Sequence, residues 1–316
     1  MGLQTAPNGL NLRQFRHLTS ASSPHHLDSI AAARQEGYVL RMSALQQNSD
    51  PAPKNAKVDD RAEDLVSFGF SEVPRSQKAG KVRAVFDSVA KNYDVMNDVM
   101  SLGIHRIWKD IMADRVNPQP GERILDLASG TGDIARRMAK RARAAGKRRG
   151  LEAETFIIAS DINHAMLLEG KLQKNKDEGD KPLERLCADA QKLPFGDKTF
   201  DAATIAFGIR NVTDIPAALA DIRRVLKPGG RFVCLEFSHP NAALKPGYDV
   251  YSFKILPFMG GIVAKDSDSY TYLAESIRRF PKQKDFAAMM QKAGFAKVEH
   301  MDLTGGVTAL HSGYRV

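Results

Sequence analysis

The chain has 316 residues, 43% hydrophobic and 26% charged, with a net charge of +9 and only two cysteines. That length and composition suit one α/β domain of ~200–250 residues with a buried core, plus appendages. Cys187 and Cys234 are too few for a disulfide framework or a four-cysteine zinc site. No apolar run reaches the ~18 residues of a membrane span either, since the longest, 253–264, is broken by Lys254 and Pro257.

Residues 1–57 are rich in Ser, Asn, Gln and Ala and carry no acid before Asp28. Within them Leu10–Leu18 forms a short amphipathic pattern bearing Arg13 and Arg16. Arginine and serine without acids predict an organelle targeting segment, with a disordered tail as the alternative. Residues 58–77 are charged and turn-prone and read as a linker. The region 78–316 reads as one folded domain. Its first part places apolar residues at helical intervals, predicting helices over 81–93 and 98–114.

After Pro118-Gln-Pro-Gly121 strand-like and helix-like stretches alternate. Strands are predicted at 123–128, 156–159, 183–187, 200–207 and 231–237. Helices are predicted from Asp133 to Ala145, from Asn163, and from Pro216 to Leu226, the last stopped by Pro228-Gly-Gly230. Alternation of this kind makes an α/β fold, a mostly parallel sheet with helices on both faces. The final apolar stretches, 296–303 and 306–316, are joined only by Thr304-Gly305, which predicts an antiparallel C-terminal hairpin at the sheet edge. The charge is uneven. Residues 1–76 hold eight basic and eight acidic side chains, whereas eight of the fourteen residues 136–149 are basic and none is acidic. Such a run suits phosphates, anionic lipid or an acidic partner, or is a solvated helix face.

The turn Ala128-Ser-Gly-Thr-Gly-Asp-Ile-Ala135 carries the chemistry. Gly130 and Gly132 permit a sharp turn and close approach to a ligand, and Ala135 permits close helix packing. The spacing alone also fits a dinucleotide. A pyrophosphate, however, wants a helix start free of negative charge, and here Asp133 opens the helix while Asp126 ends the strand. A sulfonium cation with an amino-acid tail tolerates both. Asp161 ends the second strand, where a ribose would be held, and Asp189 follows the third, beside an adenine position. Each acid alone is as readily a helix cap or turn residue; their joint placement is what points to S-adenosylmethionine.

Two longer stretches narrow the resemblance. Tyr93-Asp-Val-Met-Asn-Asp-Val-Met-Ser-Leu-Gly-Ile-His-Arg-Ile-Trp108 and Arg224-Val-Leu-Lys-Pro-Gly-Gly-Arg-Phe-Val-Cys-Leu-Glu-Phe-Ser238 resemble the signatures of the ubiquinone and menaquinone C-methyltransferase family. Phe207-Gly-Ile-Arg-Asn-Val212 and Ser269–Arg278 are similar to it too, so the likeness covers about 78–316. It implies a class I S-adenosylmethionine methyltransferase (Rossmann-like) sheet and a cofactor held by Thr131, Asp161, Asp189 and Ala190. Asp126, Gly130 and Gly132 join them from the reading of the turn. It also implies a polyprenylated hydroquinol substrate, with C-methylation of 2-methoxy-6-polyprenyl-1,4-benzoquinol as the expected reaction.

A sulfonium methyl is already activated, so no metal is expected, and no His or Cys shows ligand spacing. The protein's tasks are alignment, phenolate stabilisation and removal of a ring proton. Arg210 and Asn211 follow the fourth strand, at the edge where substrates lie. Arginine stays protonated, so Arg210 is expected to stabilise a phenolate or position a water, with Asn211 orienting the ring hydroxyl and Tyr93 closing over the site. An ion pair is the structural alternative for Arg210, and a core ring for Tyr93.

The aromatic insertion 240–281 is expected to cover the isoprenoid tail or form a homodimer contact. The remaining expectations are peripheral contact with a membrane, a place in a multi-enzyme complex, and the matrix side of the mitochondrial inner membrane. Open alternatives are a demethylmenaquinol- or phylloquinol-type substrate and a non-catalytic scaffold. A nucleic-acid methyltransferase is disfavoured: Asn-Pro-Pro is absent and neither cysteine precedes a proline.

Overall fold

The computed structural model describes residues 64–89, 97–98, 101–151, 154–172, 183–255 and 267–316. The expected targeting segment 1–57, Tyr93 and the centre of the insertion, 256–266, lie outside them. The folded body extends over Ala62–Val316.

It begins with a two-stranded antiparallel hairpin, β1 (Leu65–Phe68) and β2 (Ser71–Pro74), followed by helices α1 (Arg75–Val89) and α2 (His105–Val116). The sheet is built from β3 (Arg123–Leu127), β4 (Phe156–Asp161), β5 (Glu184–Cys187), β6 (Phe200–Ala206), β7 (Leu226–Phe237), β8 (Phe295–Leu303) and β9 (Thr308–Arg315). Their helices are α3 (Asp133–Arg149), α4 (His164–Leu172), α5 (Ile215–Val225), α6 (Lys245–Val250), α7 (Ser267–Arg279) and α8 (Gln283–Lys292). The strand order is β5-β4-β3-β6-β7-β9-β8, parallel up to β7 and antiparallel from β7 to β9 and β9 to β8.

Central strands such as Arg123-Ile-Leu-Asp-Leu127 are buried on both faces from Ile124 onward because helices cover both. One core layer joins Trp108 and Met112 of α2 and Met138 of α3 to the sheet. The other joins Leu219 and Ile222 of α5 and Phe286 and Met290 of α8 to the opposite face. Parallel strands of matched register end together, so the turns after β3, β4, β5 and β6 gather along one edge.

Several boundaries differ from the sequence reading. Part of the expected linker is folded: Gly69, at φ +59°, turns β1 into β2, and α1 starts six residues before Lys81. Strands of only four residues, one bearing Glu72, give too short a period to stand out. The helix expected over 98–114 begins at His105, since Leu102 and Gly103 both take positive φ. Helix α3 runs on to Arg149 because nothing stops it before Gly150, which caps it in the left-handed conformation. The C-terminal hairpin forms as expected, with β9 inserted between β7 and the edge strand β8.

The basic run on α3 is partly spent inside the protein. Arg137 pairs with Asp110 and Asp133, and Arg141 with Asp110 and Asp114. Lys147, Arg148 and Arg149 stay exposed at the end of α3, the sheet edge away from the turns.

Candidate active site

The turn after β3 uses its own amides. Ser129 N–H donates to Ser160 O, Gly132 N–H to Ser129 O, and Gly130 N–H to the Asp161 carboxylate at 2.8 Å. Gly132 sits at φ +93°, which only glycine adopts without strain. With the Gly130 amide already on a carboxylate, the turn is poorly arranged to receive a pyrophosphate. The structure corrects one step of the sequence argument. Asp133 faces Lys109 and Arg137, each at 2.9 Å, and these pull its pKa down to about 2 against its burial. Discrimination against a dianion therefore rests on Asp161, not Asp133.

Asp161 also accepts from Asn163 N–H at 2.8 Å, and burial raises its pKa while the backbone donors hold it back. Two accepted bonds leave a carboxylate further lone pairs for a ligand's hydroxyls. Asp189 accepts from the backbone and side chain of Gln191. Gly130, Asp161, Asp189 and Ala190 line one cleft of about 840 Å³, counting its open mouth, together with Asn163, Met166 and Asn211. Helix α1 closes its near side with Val82 and Phe86, and Arg83 is the one cationic side chain among the described lining residues.

Asp126, Thr131 and Gly132 do not line that cleft. Asp126 is 1% exposed and accepts from Ser129 Oγ at 2.6 Å and Thr204 Oγ1 at 2.7 Å. Burial raises its pKa to about 6 against those donors. It lies behind the turn, tied to it through Ser129. The buried backbone of Thr131 is fixed by Arg136 Nη1 donating to its carbonyl and by close packing on Gly170 of α4.

Arg210 and Asn211 lie on a short 3₁₀ turn after β6. Arg210 is buried and makes an ion pair with Glu236 at 2.6 Å, while the same Nη1 donates to Phe207 O. Its Nε is buried without a hydrogen-bond partner. Glu236, 0% exposed at the end of β7, also accepts from Phe237 N–H, and burial raises its pKa against the pull of Arg210. Arg210 faces a second, more open cavity, which it lines with Tyr272, Lys78 and Arg279. Val212 and Thr213 line both cavities. Asn211 faces the first cavity, and Tyr272 Oη donates to its Oδ1 at 3.0 Å. The ion-pair alternative for Arg210 is thus realised, and Arg210 and Asn211 line adjoining spaces.

Sequence reading missed Glu236 and Tyr272. For Glu236 a signal existed, because a carboxylate near the end of the apolar run Phe232–Phe237 needs a buried partner. Tyr272 gave none, since its partner is 61 residues away.

An antiparallel last strand, β9, slotted between β7 and β8, and a carboxylate-lined cleft over the glycine turn define a Rossmann-like methyltransferase fold. A SAM-dependent methyltransferase structure from Thermotoga maritima shares this fold at TM-score 0.50 and 17% identity, covering 74% of this chain and 99% of that one. The model of the ubiE/COQ5 methyltransferase family matches residues 34–315, and the chain belongs to that family. Its relatives include the ubiquinone/menaquinone biosynthesis C-methyltransferase UbiE of Caulobacter vibrioides, 56% identical over 252 residues, 79% of this chain and 98% of that protein. The mitochondrial 2-methoxy-6-polyprenyl-1,4-benzoquinol methylase of Bos taurus is 45% identical over 304 residues, 87% of this chain and 92% of that protein. The match reaches back to residue 34, ahead of the expected domain start at Lys78.

Proposed function

We propose that this methyltransferase uses S-adenosylmethionine to methylate a ring carbon of 2-methoxy-6-polyprenyl-1,4-benzoquinol. The observation that carries the cofactor reading is the cleft over the glycine turn, where Gly130 N–H is committed to Asp161 and a second carboxylate, Asp189, follows the next strand. Such a site favours a cation with hydroxyls over a phosphate ester. When bound, S-adenosylmethionine supplies an activated methyl group. Asp161 and Asp189 would hold its ribose and adenine, Gly130 and Ala190 would bound it, and Asp126, Thr131 and Gly132 would keep the turn in shape.

The protein's remaining work is on the quinol. Asn211, on the cleft wall, orients the ring hydroxyl. Arg210, its charge compensated by Glu236, would assist a phenolate from the adjoining cavity that it lines. Tyr93, outside the described residues, is included among the catalytic residues for its place in the signature.

The reading of the benzoquinol as substrate is supported by the bovine relative's name; the bacterial relatives' names equally support a demethylmenaquinol. Peripheral membrane contact is supported by exposed apolar side chains of the aromatic insertion, Leu244, Val250, Phe253 and Ile255. The same residues would serve a homodimer. Lys147–Arg149, at the opposite sheet edge, suit an acidic protein of a biosynthetic complex. Residues 1–57 support placement on the matrix side of the mitochondrial inner membrane.

The test is transfer of labelled methyl to a short-tailed methoxybenzoquinol beside a naphthoquinol, with Asp161→Asn as control. Label on the benzoquinol, and cofactor affinity reduced more than tenfold in Asp161→Asn, are expected. Label on the naphthoquinol alone would redirect the substrate reading, and unchanged affinity in the variant would remove Asp161 from the site.

A further inference from the structure

Asn211 is an amide, and an amide presents either an acceptor or a donor depending on which way it is turned. Its backbone is fixed, because Asn211 N–H donates to Gly208 O at 3.1 Å. Its side chain is fixed by one bond, from Tyr272 Oη to Oδ1 at 3.0 Å. No described carbonyl or carboxylate takes the Nδ2 hydrogens. With the oxygen held by Tyr272, the cleft is offered a donor.

A phenol can donate or accept, so this orientation is the one in which Tyr272 Oη donates to Oδ1, as the structure has it. Tyr272 is 7% exposed, and its ring stacks on Phe68 of β1 with centroids 4.3 Å apart. Burial raises its phenol to about 12, so the hydroxyl keeps its proton and remains able to donate at any working pH. Helix α7 carries the residue from the insertion to the wall between the two cavities, where Asn211 lines one and Tyr272 the other.

We propose that Tyr272 is a positioning residue for methyl transfer, turning the Asn211 amide so that its NH₂ group meets a substrate ring oxygen. The proposal rests on the reading of Asn211 as a substrate contact. A donor at that point favours an oxygen that gains negative charge, which is what a hydroquinol does as its ring carbon becomes nucleophilic. It discriminates less strongly in favour of the neutral hydroxyl, so the effect belongs in kcat rather than in binding.

The experiment is a double-mutant cycle with Tyr272→Phe and Asn211→Ala, following labelled methyl so that slow variants stay measurable. Tyr272→Phe keeps the ring against Phe68 and removes only the hydroxyl. The expected result is a kcat about tenfold lower, the loss of roughly one hydrogen bond. Calorimetric affinity for S-adenosylmethionine should stay unchanged and KM for the quinol within about twofold, while the thermal midpoint falls by no more than roughly 2–6 °C, the cost of one buried hydrogen bond. In the Asn211→Ala background the tyrosine substitution should change kcat less than twofold. Full turnover in Tyr272→Phe would overturn the proposal, and so would an equal loss in both backgrounds, because Tyr272 would then act independently of Asn211. Wild-type protein that binds S-adenosylmethionine but methylates neither quinol overturns the reading of the reaction itself, an outcome distinct from both.

Discussion

Replacing Glu236 with alanine is the sharpest physical test of the site's foundation. The carboxylate is 0% exposed and accepts from the Arg210 guanidinium at 2.6 Å and from Phe237 N–H at 2.9 Å. Its loss leaves the guanidinium charged and buried, with Phe207 O as its remaining hydrogen-bond acceptor and the Phe237 ring 5.6 Å away. Breaking a buried pair from one side costs about 3–5 kcal/mol. For a folded body of this size that corresponds to a midpoint lowered by roughly 6–20 °C. Urea titration followed by circular dichroism measures it directly, provided the slope m is unchanged. The paired control is Glu236→Leu with Arg210→Met, which removes both charges and should recover most of the loss. A drop below about 2 °C in Glu236→Ala, or a double variant no more stable than the single, would refute the argument that this pair is dry and mutually dependent.

The buried Asp126 predicts an unusual pH dependence. Below its ordinary value of 3.8 both folded and unfolded states hold the proton, while between there and about 6 only the folded state does. Stability contributed by this group therefore falls as pH rises through that window, by roughly 3 kcal/mol in all. Asp126→Asn should flatten that slope in urea titrations between pH 4 and 6.5, and an unchanged slope would show that the carboxyl is not the group responsible. Gly170→Ala forces a methyl group into the Thr131 carbonyl behind the glycine turn. A cost of about 1–3 kcal/mol and weaker S-adenosylmethionine binding by calorimetry are expected, and wild-type affinity would mean α4 can shift freely. Arg210→Lys keeps the charge but replaces the guanidinium, whose Nη1 alone reaches both Glu236 and Phe207 O, with a differently shaped ammonium. It should lower turnover at least tenfold while leaving the Kd for S-adenosylmethionine unchanged, and turnover near wild type would remove Arg210 from the reaction.

Much of the fold was written locally. Apolar runs bounded by turn residues located β3, β4, β6 and the C-terminal hairpin, because strands buried on both faces must be almost wholly apolar. The glycine turn and the acids at strand ends were equally visible, since close backbone approach requires glycine and parallel strands must end on one edge. The four-residue strands of the first hairpin were hidden by their shortness.

What the sequence left open were relations between distant residues. Asp126, Asp133 and Asp161 look alike along the chain, yet one is sealed under the turn, one is neutralised by Lys109 and Arg137, and one faces the cleft. Among the described residues, Arg210 finds its carboxylate partner in Glu236, 26 residues on, and the Asn211 side chain its hydrogen bond in Tyr272, 61 residues on. Residue type and periodicity determine which elements form and which edge carries the chemistry. Which carboxylate is paired, which is exposed and which way an amide points depend on long-range packing and on the dielectric it creates, and those the tertiary structure alone decided.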